Sequence, residues 1–156
     1  MSAIVVTLSP SELLHGAMCG VYRQVQNIRR RRRDRFGAEV EAGWQLHICG
    51  ALGELAVAKH LGRYWIGMGV LGDLEADDFA GGQVRWATRP TDRLILHESD
   101  PDNARFVLVT GVTDEFLLHG WILGSDGKQK RFWNDPVGGR PAFFVPRSEL
   151  RDIRAW

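Results

Sequence analysis

The chain has 156 residues, 44% of them hydrophobic and 25% charged, with 20 Lys and Arg against 19 Asp and Glu for a formal net charge of +1. Such a chain suffices for one core and is short for two, so a single domain over 1–156 is expected, with an N-terminal strand and basic helix in 1–42 and the core in 43–156. The near-neutral balance excludes attraction to a polyanion by overall charge and leaves only local clustering to provide it.

No apolar run approaches the length of a membrane span, which sets membrane insertion aside. Cys19 and Cys49 form neither a C-x-x-C pair nor a framework, and no basic region followed by an apolar one opens the chain. A reduced, cytoplasmic protein is therefore expected.

Residues 4–8 (I-V-V-T-L) read as a first short strand. Ser9-Pro10-Ser11-Glu12 then reads as a helix start, with Ser9 at the cap, Pro10 in the first turn and Glu12 three residues on. Leu13, Leu14, Met18, Val21, Tyr22, Val25 and Ile28 recur near the helical period, and the helix is expected to end around Gly37. Towards that end stand Arg29, Arg30, Arg31, Arg32 and Arg33, with Arg23 and Arg35 nearby. Five consecutive arginines surround a helix and cannot all face one groove, but together they make a concentrated positive site whose guanidinium forks match phosphate. The plainer reading is a solvated helix end whose cations offset the dipole and pair with Asp34, Glu39 or Glu41.

A second helix is expected over 40–61, broken or entered near Gly43, and carries GALGELAVAKHLG. On its projection Glu54 shares a face with Gly50, Ala51, Val57, Ala58 and Leu61. Burying an unpaired carboxylate is costly, so a cation or strong donor is expected beside Glu54. Arg63 and Arg85 are the candidates for an ordinary ion pair.

After Gly62 the sequence becomes strand-like and turn-rich. D-D-F-A-G-G-Q-V-R predicts a hairpin: a strand ending near Asp78, a turn at Ala80-Gly81-Gly82, and a strand over 83–88. Alternation sends Gln83 and Arg85 to one side and Val84 and Trp86 to the other. If the Glu54 helix packs beside this strand, Glu54, Asp78, Gln83 and Arg85 converge on one point, with oxygen ligands suited to magnesium and a cation for transition-state charge. The alternative is that Asp77 and Asp78 are turn-forming acids in a solvated loop.

Glu on a helix, then Asp, then Gln-x-Arg across a hairpin resembles the PD-(D/E)XK nuclease superfamily, over roughly residues 50–88. The resemblance implies a restriction-endonuclease-like core, Glu54 and Asp78 as metal ligands, Gln83 in place of the second acid, and Arg85 in place of the lysine. It implies Mg2+ or Mn2+ as cofactor and DNA as partner, with RNA and homodimerisation left open. Gln83 departs from the pattern in offering a neutral carbonyl oxygen, and Arg85 in keeping its proton.

Further strands are expected over 94–97, 106–110 and 116–122. Phe106-Val107-Leu108-Val109 is apolar on both faces and belongs mid-sheet with cover on both sides. Residues 142–146 are expected as an edge strand or apolar tail, followed by a terminal helical turn from Ser148. Helices first and then a hairpin-built mixed sheet give an α/β or α+β fold, N-terminal helices packed on a central mixed sheet. The five histidines lack zinc-type spacing, and Gly81-Gly82 and Gly138-Gly139 are turn signals, not phosphate-binding loops. Trp86 and Trp121 sit in apolar strand patterns, whereas Trp133, between Arg131 and Asn134, is the candidate for a surface contact.

The leading expectation is a metal-dependent nuclease hydrolysing DNA phosphodiester bonds at Glu54, Asp78, Gln83 and Arg85, gripping backbone through the arginine run. Its size and compactness suit a phage-borne or mobile-element accessory gene. The alternative keeps the fold and discards the chemistry, leaving an inactive nucleic-acid- or protein-binding module.

Overall fold

The computed structural model describes residues 2–30, 43–65, 67, 78–79, 81–89 and 92–156. Strand β1 (Ile4–Thr7) leads into helix α1 (Pro10–Arg29) through a full capping box: the Ser9 hydroxyl accepts from the Glu12 N–H, and the Glu12 carboxylate accepts from the Ser9 N–H. Pro10 occupies the first turn, where its missing N–H is no loss. The helix ends at Arg29 with Arg30 as its cap, short of the end expected near Gly37, which lies outside the described residues.

Helix α2 (Gly43–His60) packs on α1 through glycine. A Cβ on Gly16 would lie 2.6 Å from Leu52 Cδ2, and one on Gly20 would lie 2.5 Å from the Ile48 Cα. Only hydrogen at these two positions lets the helix backbones come this close. Small residues therefore line the inner face of α1, with Gly16, Cys19 and Gly20 buried, while Leu14, Met18, Val21, Val25 and Ile28 face solvent. Of the apolar residues that mark the helical period, these five are thus on its outer face, whereas Leu13 packs against the core.

Helix α2 is apolar nearly all round because it is covered twice. One side meets α1; Gly53, by contrast, sits over Trp86 and Val109 of the sheet, the nearest atoms being 3.6 Å from where its Cβ would be. Lys59 ties its last turn back to β1 and α1, donating to the Thr7 carbonyl and pairing with Glu12 at 2.7 Å.

The main sheet comprises β1, β2 (Gln83–Ala87), β4 (Arg105–Thr110) and β5 (Glu115–Leu123) in the order β1-β5-β4-β2. β1 and β4 run antiparallel to β5, and β2 runs parallel to β4, so the sheet is mixed and the fold α+β. β4, interior to the sheet, is buried along Phe106, Val107, Leu108 and Val109, which divide between two cores. Val107 and Val109 face the helices, whereas Phe106 and Leu108 face a smaller sheet formed by β3 (Leu94–Leu96), β7 (Ala142–Val145) and β6 (Trp133–Asn134) in the order β3-β7-β6. The expected edge or tail at 142–146 is therefore the middle strand of this sheet. Pro146 follows the last ladder residue and removes no needed N–H.

Among the described residues no helix is long and apolar enough to cross a membrane.

Candidate active site

Asp78 precedes a tight turn in which Phe79 and Gly82 exchange backbone hydrogen bonds, with Gly81 at φ 101° between them. A two-residue connection of this kind requires positive φ, which glycine adopts without strain. Gly82 is constrained differently, since a Cβ there would lie 2.5 Å from the ring of Trp156, itself packed on Phe79 and Trp121. The chain's last residue thus braces the turn from below. Asp78 Oδ2 accepts from the Val84 N–H at 2.6 Å, which fixes the carboxylate against the start of β2, the outer strand of the main sheet among the described residues.

Glu54 reaches the same end of the molecule from α2. It is buried, and its partner is Arg23 of α1, not Arg63 or Arg85. Arg23 donates through both terminal nitrogens, to Oε1 at 2.6 Å and Oε2 at 2.7 Å, and also donates to the Gly67 carbonyl. Trp65 Nε1 adds a third donor to Glu54 Oε2 at 3.1 Å. Burial works against the Arg23 charge, but the hydrogen bonds and charge of Glu54 outweigh it and raise the guanidinium pKa.

The two acids are brought close enough to act on each other. Burial pushes the Asp78 carboxyl up to about 7, the Glu54 charge adds to that rise, and the Val84 hydrogen bond, Arg85 and Arg23 oppose it. Burial and the Glu54 charge together outweigh the two guanidiniums that act on Asp78.

Gln83 and Arg85 do not join them on the same face. Their register partners on β4 are Phe106 and Leu108, which look toward the small sheet, whereas Val84 and Trp86 pair with Val107 and Val109 beneath α2. Because side chains alternate along a strand and α2 lies on the Val84/Trp86 face, the convergence of all four residues expected from the sequence is not what forms. Arg85 instead pairs with Asp100 at 2.9 Å and lies 4.8 Å from the centroid of the Phe106 ring. Burial disfavours the Asp100 carboxylate, but hydrogen bonds from His97, the Arg85 charge and its hydrogen bond hold it down at about 2. The position of Asp78 beside β2 lets it feel cations from both faces of that strand, Arg23 on one and Arg85 on the other.

Of the arginine run, Arg29 and Arg30 are exposed at the C-terminal end of α1; Arg31, Arg32 and Arg33 lie outside the described residues, as do Asp77 and Ala80. Trp121 is core, and Trp86 is partly buried with its indole N–H on the Gly111 carbonyl at 2.7 Å. Trp133 is surface-exposed, set edge-on to Phe143 in a shallow cleft with Arg93 and Arg131.

Arg23, Trp65 and Asp100 are the partners that sequence reasoning did not assign. Arg23 carried a signal: it stands three residues after Gly20 and seven after Gly16, in phase with the face that packs on α2, where an arginine requires an acid opposite.

No protein-family model, curated protein or solved structure matches the chain.

Proposed function

We propose that this protein is a metal-dependent nuclease acting on DNA, its site centred on Asp78 and Glu54 beside β2 of the main sheet. The observation that carries the reading is the meeting of two buried carboxylates, the Asp78 carboxyl raised first by burial and then by the Glu54 charge, with Arg23 paired to Glu54. The donor chemistry fits a hard divalent cation: Asp78 spends Oδ2 on Val84, and Glu54 Oε1 accepts only one of the three bonds made to that carboxylate, so it keeps a lone pair. Bound by these acids, magnesium or manganese would supply a Lewis acid toward a phosphodiester.

The chain's own residues supply the remainder. Arg23 orients Glu54 and brings a cation to the side of the site where phosphate charge develops, the role that the sequence had suggested for Arg85. Arg85, anchored on Asp100, acts from the far face through its field at Asp78. Arg29 and Arg30, at the exposed end of α1, contribute phosphate contacts.

A second reading is favoured by the two-bond Arg23 pair itself. In it the guanidinium permanently replaces the metal, and the protein is an inactive nucleic-acid-binding module. Cleavage of plasmid and single-stranded DNA, with magnesium or manganese against chelator, tests both. Metal-dependent cleavage lost in Asp78→Ala and Glu54→Ala supports the enzyme; DNA binding without cleavage under either metal supports the inactive module.

A further inference from the structure

We infer that α1 is a dimerisation helix that pairs antiparallel with α1 of a second copy of this chain. Leu14, Met18, Val21, Val25 and Ile28 follow one another at intervals of four, three, four and three, and each is between 38% and 65% exposed. This is the seam spacing of a two-helix coiled coil, in which a stripe recurring every 3.5 residues stays against its partner. The stripe is about 20 Å long at 1.5 Å per residue, larger than the scattered apolar residues of an ordinary surface. It exists because glycine and cysteine occupy the inner face of the same helix, leaving the large side chains outward.

The occupant follows from the spacing and the charge. A two-fold axis beside Val21 sets Val21 on its own copy and Leu14 against Ile28, with Met18 one residue from level with Val25, so the apolar stripe meets itself. A parallel pair would instead bring the two Arg29-Arg30 ends together, with Arg31, Arg32 and Arg33 following in each chain. Antiparallel pairing separates these ends by the helix length and aligns the dipoles favourably.

Light scattering on the full chain at high micromolar concentration tests this. The wild type should show twice the chain mass. Met18→Glu combined with Val25→Glu sets like charges near each other and should raise the dissociation constant at least about thirtyfold, with helix content and melting retained. Cysteine cross-linking provides a second readout, since both native cysteines are buried. Val21→Cys should cross-link to itself, and Leu14→Cys should cross-link to Ile28→Cys but not to itself. A wild type of single chain mass would overturn the proposal, as would a dimer unaffected by the double glutamate variant or efficient Leu14→Cys self-linking.

Discussion

Arg23 and Glu54 close a two-bond guanidinium–carboxylate pair between α1 and α2, at 2.6 and 2.7 Å, in a helix interface where Gly16 and Gly20 bring the helices close. Glu54 is buried in this interface, so the pair must be made in full or it destabilises the interface. Arg23→Ala leaves Glu54 buried with Trp65 as its side-chain donor among the described residues and should cost about 3 kcal/mol by urea unfolding, the magnitude of breaking a buried pair on one side. Adding Glu54→Gln to Arg23→Ala should recover part of that loss. Equal destabilisation in the single and double variants would show that the cost is packing and not stranded charge.

The same pair marks where sequence reading stops. The capping box of Ser9 and Glu12, the buried character of α2 and the two-sided burial of Phe106 to Val109 are local patterns, and local patterns are legible in a single chain. The Arg23 partnership spans 31 residues and the Arg85–Asp100 pair 15; the glycine spacing puts Arg23 on the packed face of α1 but does not select Glu54 as its partner, and no local pattern selects Asp100 for Arg85. The apolar period in α1 signals a helix but not its direction, since the packing face is set by Gly16 and Gly20, which hydrophobicity ignores. The central place of β7 depends on pairing with β3 nearly fifty residues earlier, a long-range choice that Pro146 disguised as an edge.

The raised Asp78 carboxyl sets a pH dependence with a definite sign. Its ordinary value is 3.8 and its folded value about 7, so between these limits the folded chain binds the proton more tightly than the unfolded one. Stability contributed by this group is greatest below about 3.8 and declines as pH rises towards about 7. Asp78→Asn should remove that decline, giving a variant relatively more stable at pH 8 than at pH 5 compared with wild type. Magnesium competes with the same proton, so metal-induced stabilisation should grow through about pH 7 and vanish in Asp78→Asn. Thermal melts across pH with millimolar magnesium or chelator measure both effects; a melting temperature indifferent to metal at pH 8 would count against a cation site.

The arginine end of α1 is testable by salt alone. Each phosphate neutralised contributes about 0.9 to the slope of log affinity against log salt on duplex DNA, so replacing Arg30, Arg31 and Arg32 with Gln should flatten the slope by up to about 3. Affinity should fall most at low salt. An unchanged slope would assign the run to a solvated helix end.

Arg85 separates a structural cation from a transition-state one. Its guanidinium is held by Asp100 and packed over Phe106 on the face away from Glu54, so its principal local role is to neutralise a buried acid. Arg85→Ala should destabilise the fold by on the order of 2 kcal/mol, less than a fully buried pair because the arginine keeps 25% of its side-chain surface exposed. Asp100→Asn removes the other partner, and its loss should be full above about pH 3.8 and fade as pH falls towards about 2, where the folded carboxyl takes up its proton. The Asp78 proton also senses Arg85, so Arg85→Ala should raise the pH at which magnesium begins to stabilise the fold. Arg85→Lys keeps the charge but not the fork, and should restore that pH while recovering only part of the stability. A variant that unfolds no more easily than wild type yet loses cleavage would return Arg85 to the reacting phosphate, because only a contact made in the transition state removes rate without removing stability.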